Sequence, residues 1–559
     1  MCAIANATLI ERLAEALPKN SRFHIHYLSS PPTPCPAIYS APPGEKQDKT
    51  FCESHFFSVS IDSDSYSLQV FALEVLLYTT ENLTTLFVSK ADSTGYLHLL
   101  NLPQGTPSPL KTISTTFLAY LVEKRQRSDR RLVLSLFARA QDQYLFPGSI
   151  ENSGKHVLDD RGLVRWWCRV VDPILRLYPN EDDKAAFVSR SASDSEINLG
   201  MGSISEISAK GYLRVPGCDL FETKGFFPPH RPMEYVHLDP YWKVGDPLRE
   251  LGRSPRWPER CLIPRFPDDP KARYVDELDD ELPELTSRSQ ESPSKGKHPG
   301  QWKSVKSLEQ FWEMMAFRQE CSSGRLVGFI WGVFAPIQKP IDHEANNLES
   351  SLSALRQQKT TFALPTPESF QPRYSTLATS ESSLRPSPTL EKAPPLFPSS
   401  PAPTGKEMRE PRTAKALPEK TKYYYWPSSS RGEVVLREKD YQRVNKLMLQ
   451  LDYANKDVGT ISTQRWINDV SVISKKCWGQ IVVGKREPEK VSQIAAGPTA
   501  TVLNAGIMRK KKRRNEDVDD QAHPVGAVSD RKGVNVLSVG LVRKKPKITS
   551  NSCLGQAPD

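Results

Sequence analysis

Between residues 351 and 420 the sequence holds 12 prolines set among many serines and threonines. Proline fixes φ and removes a backbone donor, and too few apolar residues accompany it to bury the surface that would offset the chain's entropy. The region reads as a disordered Pro/Ser/Thr-rich linker over 337–421, and it divides the chain. A long part, 1–336, has to hold most of the fold. A shorter part, 422–488, reads as helical and needs a partner surface, best supplied by the first. From 489 to 559 the chain turns polar again and reads as a disordered basic tail. With 38% hydrophobic residues over 559 positions, one large folded unit with flexible segments fits better than several compact domains.

Within the long part the patterns alternate. Thr8 and Glu11 form a capping-box pattern ahead of Leu9, Ile10, Leu13 and Leu17, and Pro18 stops that helix. Runs rich in Val, Leu, Phe and Tyr at 56–61, 68–80, 85–89 and 131–137 read as strands. Helices are expected at 114–125, at 160–178 with Pro173 as a kink or late break, and from Ser307 onward; 325–334 reads as a buried strand. Beyond the linker, Val444, Leu447, Met448 and Leu451 share one helical face, and Trp466, Ile467 and Val470 mark a second helix. Strands with interleaved helices but no βαβ repeat predict an α/β fold: a mixed central β-sheet surrounded by helices.

Several classes are excluded. The nine cysteines are never closer than 17 positions apart, so no CxxC zinc spacing exists and no metal site is expected. Their odd number and wide spacing argue against a secreted disulfide scaffold, and the first residues lack a signal-peptide core, since Glu11, Arg12 and Glu15 interrupt it. No run of 18 apolar residues occurs. The best, Val70–Tyr78, is broken by Glu74, so no membrane span is expected. Phosphate loops, GxGxxG, HExxH, GxSxG and kinase signatures are all missing. The formal net charge of +10 suits an anionic partner without naming one. Two basic runs, Arg509–Arg514 and Arg543–Lys547, suit nuclear import or contact with a chaperone or DNA; the plain alternative is a solvated charge run.

Three stretches then hold the candidate chemistry. Phe137–Phe146 leaves a strand, and Lys155-His156 precedes the helix with Trp166-Trp167; Arg, Lys and His at a strand end and helix start suit phosphates. The adjacent tryptophans point about 100° apart, so one can pack in a core while the other lines a tunnel, although core packing of both is the ordinary reading. Phe266–Lys271 fixes Asp268 and Asp269 between prolines, which otherwise reads as an exposed acidic turn. Phe87–Gly95 ends a strand at Asp92, and its ordinary reading is a hairpin turn.

These stretches, in this order, resemble the fungal histone H3 lysine acetyltransferases of the regulator-of-Ty-transposition type. The matching strings are VSKADSTGY (88–96), QYLFPGS (143–149), KHVLDDRGLVRWW (155–167), YWKVGD (241–246) and IPRFPDDPKAR (263–273), with further likeness at 307–320, 484–487 and 539–547. The resemblance implies a fold similar to the CREB-binding-protein acetyltransferase domain. It implies transfer of acetyl from acetyl-CoA to newly synthesised histone H3, chiefly lysine fifty-six, in the nucleus, during replication-coupled nucleosome assembly and the DNA-damage response. Histones H3–H4, the anti-silencing-function chaperone and a nucleosome-assembly-protein relative are the implied partners, with an import receptor for the basic tail. The stretch between Gly105 and Arg131 is shorter than the loop that docks the nucleosome-assembly-type chaperone in some members.

Carried over by motif, Asp92, Tyr144, Trp167, Asp268 and Asp269 are the expected catalytic residues. Ser89, Lys90, Ala91, Phe137, Arg139, Lys155, His156 and Trp166 are expected at the acetyl-CoA site, and Lys271 matches a lysine that such enzymes autoacetylate and bury. The competing class is a catalytically silent nuclear scaffold that binds histones or nucleic acid through its basic tail.

Overall fold

The computed structural model describes residues 7–63, 66–103, 105–180, 207–229, 241–282, 300–318, 325–337 and 417–487. The linker and tail expectations, and both basic runs, lie almost wholly outside these residues. Helix α1 (Leu9–Ala16) begins at a capping box: the Thr8 N–H donates to Glu11 Oε2 at 2.7 Å and the Glu11 N–H donates to Thr8 Oγ1 at 3.3 Å. The strands are β1 (Arg22–Ser29), β2 (Thr33–Cys35), β3 (Thr50–Ser63), β4 (Tyr66–Thr79), β5 (Leu83–Ser93), β6 (Arg131–Ala138), β7 (Ile207–Arg214), β8 (Trp242–Val244), β9 (Gly328–Pro336), β10 (Val434–Val435) and β11 (Gln480–Val483). The longer helices are α2 (Pro109–Arg125), α3 (Asp160–Leu175), α4 (Pro270–Asp279), α5 (Leu308–Phe317), α6 (Glu438–Met448) and α7 (Lys456–Ser474).

All the strands join one mixed sheet in the order β10-β1-β3-β4-β5-β6-β9-β7-β8, with β11 also pairing β1 and β2 pairing β3. The pairs β1–β10, β5–β6 and β7–β8 are parallel and the rest antiparallel. Two-residue periodicity sends alternate side chains to opposite faces. On one face Phe57, Leu73, Val75, Leu86, Leu134 and Ile330 pack with Leu13 of α1, Phe117 of α2 and Val170 of α3. On the other, Val133, Phe329 and Trp331 pack under α4 and α5, while Phe56 and Ala72 pack under Tyr441 of α6 and Trp466 of α7. Helices therefore cover both faces, and the mixed, helix-flanked sheet agrees with the expected fold class.

Residues 417–487 are built into the same core. Arg125, fully buried, donates to Glu53 (2.7 and 3.2 Å) and to the Tyr425 carbonyl (2.8 Å). Tyr27 and Tyr120 hydroxyls reach the Ser430 and Ser429 carbonyls at 3.0 and 2.6 Å. Arg125 Nε has no hydrogen-bond partner among the described residues, and a buried ion pair of this kind fixes geometry more than it adds stability.

Strand β1 escaped the sequence reading because His24 and His26 interrupt its apolar pattern, although it pairs with β3 on one side and with the short β10 and β11 on the other. β7 was missed as well. Pro173 sits inside the last turn of α3, which ends two residues later at Leu175 rather than reaching 178.

Candidate active site

Strands β5 and β6 run parallel and pair only as far as Val88 opposite Leu136. Beyond that point β5 stays with β4 and β6 stays with β9, so the two strands part. Ser89–Ala91 and Phe137–Arg139 then flank a gap with no ladder partner across it. A cleft of about 200 Å³ fills this gap, lined by Ser89, Lys90, Ala91, Asp92, Phe137, Arg139, Tyr144, Lys155, His156, Trp166 and Trp167. Phe71, Leu136 and Leu163 add apolar wall. Eleven sequence-selected residues, from two of the three candidate stretches, thus meet in one place.

The local geometry has sequence causes. A register shift sets Glu74 opposite Lys90 but Val75 opposite Val88, leaving Ser89 as the extra residue of a β-bulge. Such bulges re-aim side chains beside functional sites. β5 then continues through Asp92 to Ser93, so Asp92–Gly95 is not a hairpin turn. Gly95 adopts φ +87°, and a Cβ there would stand 2.5 Å from the Lys155 backbone. That missing side chain lets the 152–156 segment cross the strand end, where Asn152 Nδ2 donates to the Thr94 carbonyl at 2.7 Å.

Asp92 is buried and saturated with donors. Its Oδ2 accepts from the backbone N–H groups of Tyr144 (2.7 Å), Leu145 (2.9 Å) and Phe146 (3.2 Å). Its Oδ1 accepts from the Ser93 N–H (2.8 Å) and Lys155 Nζ (2.9 Å). Lys155 Nζ also reaches Ser149 Oγ at 2.7 Å, so its charge is spent inside the wall rather than on the rim. The Tyr144 hydroxyl donates to the Arg139 carbonyl at 2.7 Å, and burial pushes its pKa up. Trp166 and Trp167 meet edge to face with centroids 4.9 Å apart; Trp167 is buried, while Trp166 is only partly covered.

The acidic pair splits. Asp268 adopts φ +58°, and its carboxylate is 64% exposed. Its Oδ2 lies 3.5 Å from Lys90 Nζ. Asp269 turns the other way: it caps α4 through the Lys271 N–H (2.9 Å) and pairs with Lys271 Nζ at 2.5 Å, both groups buried. Asp268, Asp269 and Lys271 do not line the cleft; Lys90, which does, reaches Asp268. Lys90 also meets Glu74 at 3.3 Å. Burial opposes its charge, but Glu74 and Asp268 outweigh this and hold its pKa above the ordinary lysine value. Burial lowers the pKa of Lys271 against the pull of Asp269.

Glu74 was not selected from sequence as a site residue. The signal was present: one acid inside the apolar run Val70–Tyr78 needs buried partners.

The residues fit an acetyl-CoA molecule. An extended amide-bearing arm suits parted strand edges, apolar walls suit its acetyl end, and Arg139 with the exposed His156 suits its anionic groups. With an exposed carboxylate beside the cleft for a cationic acceptor, fold and site describe an acetyltransferase acting on lysine.

Comparison with known proteins agrees. The family model of the histone acetyltransferase KAT11-type domain matches residues 9–131 and 128–469. The chain is 41% identical over 577 residues to histone acetyltransferase rtt109 of Aspergillus flavus, covering 96% of this chain and 98% of that protein. It is 32% identical over 323 residues to the rtt109 enzyme of Schizosaccharomyces pombe, covering 56% of this chain and 69% of that protein. The crystal structure of Rtt109 from Aspergillus fumigatus superimposes with a TM-score of 0.62 at 40% identity, covering 86% of this chain and all of that one. The chain belongs to the Rtt109 family of histone acetyltransferases and is a histone lysine acetyltransferase; membership implies acetyl-CoA as donor.

Proposed function

We propose that the enzyme acetylates newly synthesised histone H3, chiefly at lysine fifty-six, in the nucleus. In this reading the anti-silencing-function chaperone stimulates it by presenting H3–H4, and the product serves replication-coupled nucleosome assembly and the DNA-damage response. A nucleosome-assembly-type chaperone and an import receptor for Arg509–Arg514 are further partners on the resemblance alone. The observation that carries the reading is the exposed Asp268 carboxylate, tied by Lys90 to the strand end that walls the cleft, in a chain of this family.

A lysine with a pKa near 10.4 is neutral in only about 1 in 2,500 molecules at pH 7, so it has to lose a proton before it attacks a thioester. When bound, acetyl-CoA would supply the activated acyl carbon; the amine nitrogen, its first proton lost to solvent, bonds to that carbon, the carbon–sulfur bond breaks, and the thiolate leaves and takes up the second proton released by the nitrogen. Asp268 attracts the substrate ammonium, because its carboxylate is open to solvent while those of Asp92 and Asp269 are engaged. Trp166 and Trp167 exclude water around the amine and favour its neutral form. Tyr144 and Asp92 set the wall of the cleft, Asp269 orders the acidic loop, and Ser89, Ala91, Phe137, Arg139, Lys155 and His156 shape the donor site. Lys271 accepts acetyl from the enzyme itself, which removes a buried positive charge.

The test is transfer from labelled acetyl-CoA to recombinant H3–H4, with and without the anti-silencing-function chaperone, mapped by mass spectrometry. Label on lysine fifty-six that rises with chaperone and falls in Asp268→Asn and Asp269→Asn variants supports the reading. Folded protein that labels neither H3 nor Lys271 overturns it in favour of a scaffold.

A further inference from the structure

Glu74 is 6% exposed, and a buried carboxylate needs donors on both oxygens. It has three. Oε2 faces Lys90 Nζ at 3.3 Å; Oε1 accepts from the Tyr441 hydroxyl at 3.1 Å and from Asn445 Nδ2 at 2.7 Å. Tyr441 and Asn445 are one helical turn apart on α6, and Tyr441 is fully buried. The same Lys90 ammonium then faces Asp268 Oδ2 at 3.5 Å. A continuous chain of contacts therefore runs from α6, through two strands of the sheet, to the acidic loop beside the cleft.

The arrangement is aimed rather than incidental. The bulge at Ser89 sets Lys90 directly opposite Glu74 on the same face. Asp268 holds a left-handed backbone angle, unusual for a non-glycine residue, which its surroundings have to favour. Lys90 is the charged partner on hand to do so. Two carboxylates sharing one ammonium leave the exposed Asp268 carboxylate incompletely neutralised beside the cleft, which suits an arriving lysine.

We propose that Lys90 is a positioning residue that fixes Asp268 beside the cleft, and that Glu74, locked by Tyr441 and Asn445, fixes Lys90. Helix α6, from the far side of the linker, thereby completes the active site. This rests on the reading above in which Asp268 meets the substrate lysine. It assigns Lys90 to the histone side of the reaction, whereas the resemblance assigns it to acetyl-CoA.

The test uses the full-length chain with H3–H4 and acetyl-CoA varied separately. Lys90→Met is expected to lower kcat/KM for histone about tenfold while leaving KM for acetyl-CoA within about twofold. Lys90→Arg is expected to recover most of the loss, and Glu74→Gln, which keeps its contacts to α6 but loses the ion pair, to fall between. A Tyr441→Phe/Asn445→Leu variant that retains the wild-type Tm should reproduce the Glu74→Gln defect. A rise in KM for acetyl-CoA in Lys90→Met, or histone kinetics unchanged in that variant, overturns the proposal. If the wild-type enzyme labels H3 and Asp268→Asn matches it, the role of Asp268 in the underlying reading is at fault instead.

Discussion

Lys271 Nζ stands 2.5 Å from Asp269 Oδ2, two residues before it in sequence, and 4.3 Å from the ring centroid of Phe329. Neither group reaches solvent. The capping bond from the Lys271 N–H to Asp269 Oδ1 starts α4 at the same point, so a single carboxylate serves backbone and side chain of one residue. Asp269→Asn leaves the ammonium buried without its counter-charge and is expected to cost about 3–5 kcal/mol of stability. Lys271→Met in the same molecule removes the orphaned charge and should restore much of the loss. Thermal unfolding of the two singles and the double closes the cycle; additive losses would mean that the pair is not coupled.

If Lys271 is the self-acetylated residue, its modification neutralises a cation that burial already disfavours. Intact-mass analysis should then find wild-type protein one acetyl heavier when prepared active. Asp268→Asn, impaired in transfer, should carry less. Full activity in Lys271→Arg, which keeps the charge and cannot be acetylated, would count against the modification as an activating step.

Asp92 holds three consecutive amides and the Lys155 ammonium, so in the proposed reading it acts on the reaction through the wall of the donor site. Asp92→Asn keeps the size and loses the charge-assisted contacts; kcat/KM is expected to fall roughly 10–100-fold, with KM for acetyl-CoA rising. Gly95→Ala attacks the same wall from the backbone, through both φ +87° and the 2.5 Å approach to Lys155. It should weaken acetyl-CoA binding, read by calorimetry, more than it lowers Tm.

Legibility from sequence followed the range of the forces involved. Local rules marked the Thr8 cap, the amphipathic α3 and the runs that became β3 to β6, although β3 and β5 extend beyond the expected ends where polar residues keep pairing. The strings around Asp92, Tyr144 and Trp167 were separately visible, but their meeting depends on where β5 and β6 part, a tertiary event. Adjacency hid the division of labour between Asp268 and Asp269. It follows from a positive φ at one and a helix cap at the other, since Pro270 occupies the first helical position. Glu74 announced a buried partner, yet nothing local pointed to Lys90, Tyr441 or Asn445.

His26 marks the acid limit of the fold. It is fully buried between Trp478 (4.9 Å) and Trp466 (6.4 Å), and neither ring nitrogen has a hydrogen-bond partner. Burial, with some repulsion from His24, lowers its pKa to about 3. The unfolded chain takes up this proton near 6.5 and the folded chain does not, so the unfolded state binds more protons between those values. Stability therefore falls by about 1.4 kcal/mol per pH unit as acid is added through that window. His24 behaves oppositely: its hydrogen bond to Asp62 raises its pKa, against the opposing effect of burial, so its contribution is fully present below 6.5 and fades only above that. Around pH 5 His24 is charged in both states and adds no slope. His26→Phe, which keeps the ring and the aromatic contacts, should lose most of the drop in Tm between pH 7 and pH 5 that the wild-type chain shows. An equal drop in the variant would place the acid sensitivity elsewhere, with the buried His55 as the next residue to replace, since burial lowers its pKa as well.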